Sequence, residues 1–246
     1  MQFHSSRLKV DRANKHIEDI DRSVRNLSDP DAHVVTTDVD PHTGQKFIHY
    51  DIPQDIPTNL ALMIGDAVHN LRTALDYAWL QTLERVVPSA VSDFAQFPIY
   101  SSLKDLETAL KTRKIDTASP RLYELIISHI KPYGGGDHSL WSIHKLDIFD
   151  KQRLLIPVVA YAGADGIEIQ DAAGNVCSGG TWGVRHAGRF TVELDKDSNI
   201  KNKGKLNLEI VFDEGLPTKD AEVFDTLSMY GNVVLKIVEL LEQVPT

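Results

Sequence analysis

The chain has 246 residues, of which 42% are hydrophobic and 25% charged, the make-up of a globular protein and not of a disordered one. Its 35 acidic and 26 basic residues leave a formal charge of -9, which excludes general DNA coating, because a polyanion would be repelled wherever no local basic cluster receives it. A single cysteine, Cys177, excludes an internal disulfide and a cysteine-built zinc site.

In chain order, Met1 to Lys9 is polar and lacks the apolar region of a secretory signal. Ser6 to Leu27 repeats apolar residues every three or four positions (Leu8, Val10, Ala13, Ile17, Ile20, Val24, Leu27), which predicts a helix stopped at Ser28-Asp29-Pro30. Ala32 to Ile52 reads as a β-hairpin, with β-branched runs flanking Asp40-Pro41-His42-Thr43-Gly44. A long helix is expected from Pro57 to Val87, two shorter ones over Ser101 to Lys111 and Ser119 to Ile130, and another over Ser139 to Leu155. Between Val158 and Asp213 the period changes to alternation, as in Phe190/Val192/Leu194 and Leu206/Leu208/Ile210/Phe212, which predicts an antiparallel sheet. Thr218 to Val244 returns to the helical period, with Asp220 and Glu222 expected in its first turn. No apolar run reaches the roughly 18 to 20 residues that span a bilayer, so a cytoplasmic protein without a membrane partner is expected. The fold class that follows is α+β. One domain, 1–246, carries a helical bundle (1–155 and 218–246), an N-terminal β-hairpin and an antiparallel β insertion (156–217) before the C-terminal helix.

Chemistry-bearing residues concentrate on the helix at 57–87. Asp66, His69, Asn70, Arg72, Thr73, Asp76 and Tyr77 fall on one arc of it, opposite Leu60, Ile64, Ala67, Leu71 and Leu75. A solvated face usually carries Lys and Glu; this arc carries short polar groups and one arginine, which suits a hydrogen-bonded network in a groove. A second stripe, His144, Asp147 and Lys151, lies on the helix at 139–155, which is otherwise apolar on most sides. Buried charges need partners, so cross-helix pairs are expected: Asp76 with Lys151 or Arg153, and Arg72 with Asp147 or Asp150.

Such a cleft suits two chemistries. Arg72 could stabilise a phosphodiester's charge while His69, oriented by Asp76, moves a proton, with Asn70, Asp66, His144, Lys151 and Arg153 binding the ligand and no cofactor required. Alternatively, Asp66-x-x-His69 and His144-x-x-Asp147 could hold a divalent ion, although Arg72 and Lys151 would place cations in the same site. The plain alternative is an inter-helix polar network without chemistry, in an interaction or regulatory protein. Other features read as ordinary surface: Gly134-Gly135-Gly136 lacks a P-loop lysine, Lys196, Lys201, Lys203 and Lys205 sit at a hairpin tip, Cys177 has no nearby base in sequence, and Trp182, Arg185 and His186 read as a turn.

The segment from Gly65 to Asp76 (GDAVHNLRTALD), with Phe97-Pro98-Ile99, Lys131-Pro132-Tyr133 and Asp150-Lys151-Gln152-Arg153, resembles an uncharacterised family of bacterial and phage-associated proteins over much of residues 1–155. In those relatives histidine often stands at the positions of Tyr77 and Gln152. The resulting Arg-x4-His spacing is similar to that of the HEPN superfamily, helical domains whose paired helices build a metal-independent ribonuclease site across a dimer. The resemblance implies an RNA- or nucleotide-binding protein, a homodimer and an endoribonuclease role for Arg72. Tyr77 stands where the histidine would be, and a phenol with a pKa near 10 is a poor base at neutral pH. Catalysis is then either lost or dependent on His69.

Overall fold

The computed structural model describes residues 3–28, 35–51, 56–92, 95–178, 182–185, 188–213, 215–216 and 218–245, with the backbone alone for 182–185 and 190. The α+β class holds, with the hairpin and the β insertion in the expected places. Helix α1 (His4–Leu27) buries Val10, Ala13, Ile17 and Ile20, the apolar stripe read from the sequence, against α2 (Thr58–Val86). Helix α7 (Val223–Glu242) returns to the same core with Leu227, Tyr230, Val234, Val238 and Leu241. Arg7 Nη2 meets Glu242 Oε2 at 2.6 Å, and the Arg85 guanidinium donates to the carbonyls of Leu241 and Glu242 at 2.8 Å each. These carbonyls at a helix end lack intrahelical partners, so Arg85 satisfies them from α2.

Between α2 and α7 the chain makes α3 (Leu103–Thr112), α4 (Ile115–Ala118) and α5 (Pro120–Glu124), the last running directly into a π-helical segment, Leu125–Ile130. Helix α6 (His138–Asp150) starts at Asp137, whose carboxylate accepts from Leu140 N at 2.9 Å. It ends five residues before the expected Leu155. Proline at 157 biases Ile156 away from helical geometry, and Leu154, Leu155 and Ile156 alternate out, in and out as an extended approach should. At the other end of the insertion, Glu222 precedes α7 and caps it by accepting from Asp225 N, while Asp220 occupies a left-handed turn at φ 61°. Neither lies in the first helical turn as expected.

The β residues form two antiparallel sheets. In one, β1 (Val35–Val39) pairs with β2 (Lys46–Asp51), and β2 pairs with β6 (Arg189–Leu194) from Lys46↔Leu194 to Asp51↔Arg189. The N-terminal hairpin therefore completes a sheet with the insertion, a long-range pairing that the sequence pattern does not predict. In the other, β3 (Pro157–Gln170) runs along β7 (Asn199–Phe212) and takes β4 (Val176–Ser178) and β5 (Trp182–Arg185) on its second edge. Trp182 to Arg185 is thus strand and not turn; their side chains, and His186 entirely, lie outside the described residues. Ile48, Tyr50, Val192 and Leu194 of the first sheet meet Ala162, Ala164, Ile167, Leu206 and Leu208 of the second in a core separate from that of the bundle. Among the described residues no helix is long and apolar enough to cross a membrane.

Candidate functional site

At 100° per residue the polar arc of α2 spans about 160°, too wide for all of it to face solvent between neighbouring helices. Its edges are folded under and its middle is open. Asn70, at one edge, is buried on the α1 side: its Oδ1 accepts from Lys9 Nζ at 3.1 Å and its Nδ2 donates back to Asp66 O at 2.7 Å. Arg72, at the other edge, has a side chain only 7% exposed. Its Nη2 donates to Phe97 O at 3.0 Å, its Nη1 lies 2.9 Å from Asp76 Oδ1, and Asp76 Oδ1 accepts from Phe97 N at 2.8 Å. The pair grips both backbone polar groups of Phe97, and the Phe97 ring packs edge-on to Trp79 at 6.0 Å. Burial pulls the Arg72 guanidinium below its ordinary value and pushes the Asp76 carboxyl above its own, while the attraction between the two works against both shifts.

Helix α6 meets the same arc through Asp147. This carboxylate is 3% exposed; Oδ1 lies 3.2 Å from His69 Nδ1 and Oδ2 accepts from Lys151 Nζ at 2.6 Å. His69 and Lys151 are themselves more than half exposed, so a buried acid anchors two accessible basic groups. Thr73 Oγ1 stands 3.5 Å from His69 Nε2. His144, one turn before Asp147, is half-buried with Nδ1 unpartnered; burial, together with Arg72 and Lys145, lowers its pKa to about 4. The Asp150 carboxylate rests on Gly65, and burial with Asp147 and Asp66 nearby pushes it above the usual carboxylate range.

The structure thus joins Arg72 to Asp76 and His69 to Asp147 and Lys151. The cross-helix pairs expected for Arg72 and for Asp76 do not form as ion pairs, because each finds its partner one helical turn away. Tyr77 is 40% exposed, and Arg153 stacks over Phe149 at 5.9 Å. Among the described residues no group of three or more His, Cys, Asp and Glu side chains is placed to hold a metal ion. Asp147, expected as a partner of Arg72 or as a metal ligand, instead holds His69 and Lys151. The Phe97 backbone is the important group that carried no sequence signal. The segments read as motifs prove to be neighbours: Tyr100 N donates to Pro132 O at 3.1 Å and Gly134 N to Tyr100 O at 2.9 Å, so the Phe97-Pro98-Ile99 and Lys131-Pro132-Tyr133 stretches lie side by side.

No family model matches this chain, and no curated protein or solved structure is significantly similar to it.

Proposed function

We propose that this chain is a non-catalytic interaction protein that pairs with a second copy through the exposed stripe of α2, its buried polar residues holding the bundle together. The observation that carries this reading is the burial of Arg72, held by a hydrogen bond to Phe97 O and an ion pair with Asp76. A cation that stabilises a phosphodiester must reach the substrate; extracting Arg72 would leave Asp76 an unpaired, largely buried charge, at about 3–5 kcal/mol. The motif residues have packing roles to match: Gly65 receives Asp150, Arg72 and Asp76 hold Phe97, and Tyr100 bridges to Tyr133.

A two-fold interface requires a self-complementary patch, in which residue i meets j while j meets i. The α2 stripe has that form. Leu62 and Tyr77, both exposed, are equally far in sequence from the His69–Asn70 peptide bond, as are Asp66 and Thr73. Antiparallel copies would set Leu62 against Tyr77 and Asp66 against Thr73. Sedimentation of the purified chain should show a dimer that Leu62→Glu and Tyr77→Glu each weaken at least about tenfold, since both would bury a charge. A monomer at all concentrations, or a dimer indifferent to both substitutions, overturns the reading.

The His69–Asp147 contact favours a second reading, an RNA or nucleotide site. A buried acid fixing Nδ1 of an exposed imidazole is the arrangement of an oriented general base. Lys151 would then be the cation on phosphate in place of Arg72, and His69 would take the proton of the ribose 2′-hydroxyl. RNA cleavage lost in both His69→Ala and Lys151→Gln, with folding intact, supports this reading over the first; absence of cleavage by the unaltered protein removes its catalytic form.

A further inference from the structure

We propose that the cleft between the π-helical segment at 125–130 and the C-terminal half of α7 binds a small phosphate-bearing molecule with an apolar portion. This cavity has a volume of about 520 Å³, within the range of small-molecule sites, and lies away from the α2–α6 cluster. Arg121, His129 and Lys236 line it. Among the described residues none of these three side chains has a hydrogen bond or an ion pair, although the chain as a whole is acidic. Among the described residues Glu124 is the one carboxylate in the lining, and it forms no ion pair with any of the three.

The convergence depends on the unusual helix. In a continuous α-helix, residues 121 and 129 would point about 80° apart. A π-helix turns more slowly, with about 4.4 residues per turn, so the four steps from 125 to 129 nearly reverse the drift of the four α-helical steps before them. On ideal geometry this brings Arg121 and His129 within about 10° of one line, and both line the cleft together with Lys236 of α7. The i to i+5 geometry is explicit in the Lys131 N to Ile126 O bond at 2.9 Å. Such segments are rare and frequently mark functional sites. Below the cations, Leu125, Leu240 and the buried Val244 supply apolar surface, so the cleft offers charge at its rim and a greasy floor. Guanidinium, imidazole and ammonium donors around one concavity suit the three oxygens of a phosphomonoester.

Isothermal titration of the full chain with phenyl phosphate and with inorganic phosphate tests this. Phenyl phosphate is expected to bind at one site, at least about fivefold tighter than inorganic phosphate, because its ring can cover the apolar floor. Arg121→Gln and Lys236→Gln, both at exposed positions, should each weaken it about tenfold, and Glu124→Gln should strengthen it by removing repulsion. His69→Ala and Lys151→Gln should leave it unchanged. The proposal is overturned by an absence of saturable binding, by binding within about twofold of normal in both cation variants, or by binding that is lost instead in the His69 and Lys151 variants.

Discussion

Gly65 on α2 makes room for the carboxylate of Asp150 on α6: a Cβ at position 65 would lie 2.3 Å from Asp150 Oδ1. The obstacle is the end of a movable side chain. Gly65→Ala should therefore swing Asp150 outward without breaking the bundle, and the helix gains up to about 1 kcal/mol from losing its glycine. Unfolding in denaturant should put the variant within about 1 kcal/mol of the unaltered chain. By NMR titration its Asp150 should ionise at lower pH than before, since the carboxylate moves toward water.

Gly204, in β7, provides the contrast. It sits at φ 74°, and a Cβ there would lie 2.5 Å from the carbonyl oxygen of Asp165 on the partner strand. Neither problem is relieved by a rotamer change. Gly204→Ala should cost about 1–3 kcal/mol through backbone strain and clash, a clear drop in Tm. A cost equal to that of Gly65→Ala would mean that the ladder yields where the packed helices do.

Arg72→Ala should be the most destabilising of the α2 substitutions, at about 3–5 kcal/mol, because it strands Asp76 and leaves the Phe97 carbonyl with Ile99 N alone as donor. His69→Ala, which removes an exposed ring, should cost under about 1 kcal/mol. A double-mutant cycle with Arg72→Met and Asp76→Asn should give a coupling above about 1 kcal/mol. Full additivity would show the pair to be two independent contacts to Phe97.

Stability should fall as the solution is acidified through the window set by His144. Its folded-state pKa is depressed from 6.5 to about 4, so its contribution is fully present above 6.5 and is lost as pH falls toward 4. The shift caps the effect at roughly 3 kcal/mol, and half-exposure of the ring reduces the expectation to about 1–2 kcal/mol. Arg72, Lys145 and Lys151 oppose charging of the ring and Asp147 favours it. His144→Gln should flatten the Tm profile between pH 6.5 and 4; an unchanged slope would place the acid sensitivity elsewhere. Asp76, Asp150 and Glu222, all pushed upward by burial, act in the opposite sense and favour the fold in acid.

Much of this architecture is legible along the chain because its helices are strongly periodic: the stripe from Val10 to Ile20 and that of α7 need only the helical repeat to be placed. The site is less legible. A helical wheel separates polar from apolar, and it put Arg72 with His69 on one arc; it says nothing of which neighbour covers each edge. Phe97, 25 residues further on, decides that Arg72 is inside, through backbone atoms that carry no sequence signal. The same limit explains β5, whose four residues are too few to show alternation, and β3, where Gly163 and Gly166 interrupt it. The pairing of β2 with β6 joins residues more than 130 apart, and no local pattern encodes such a partner.

The clasp between Arg7 and Glu242 has a consequence for biosynthesis. These residues are 235 positions apart, yet their helices share one core. On the ribosome α1 and α2 emerge with the surface meant for α7 uncovered, and it stays so while the strands are synthesised. Those strands return the chain to its point of departure, since Pro157 pairs with Phe212 at the stem of the insertion. The nascent protein is therefore most exposed to aggregation just before α7 leaves the exit tunnel, and premature termination anywhere in the β region should yield insoluble chains.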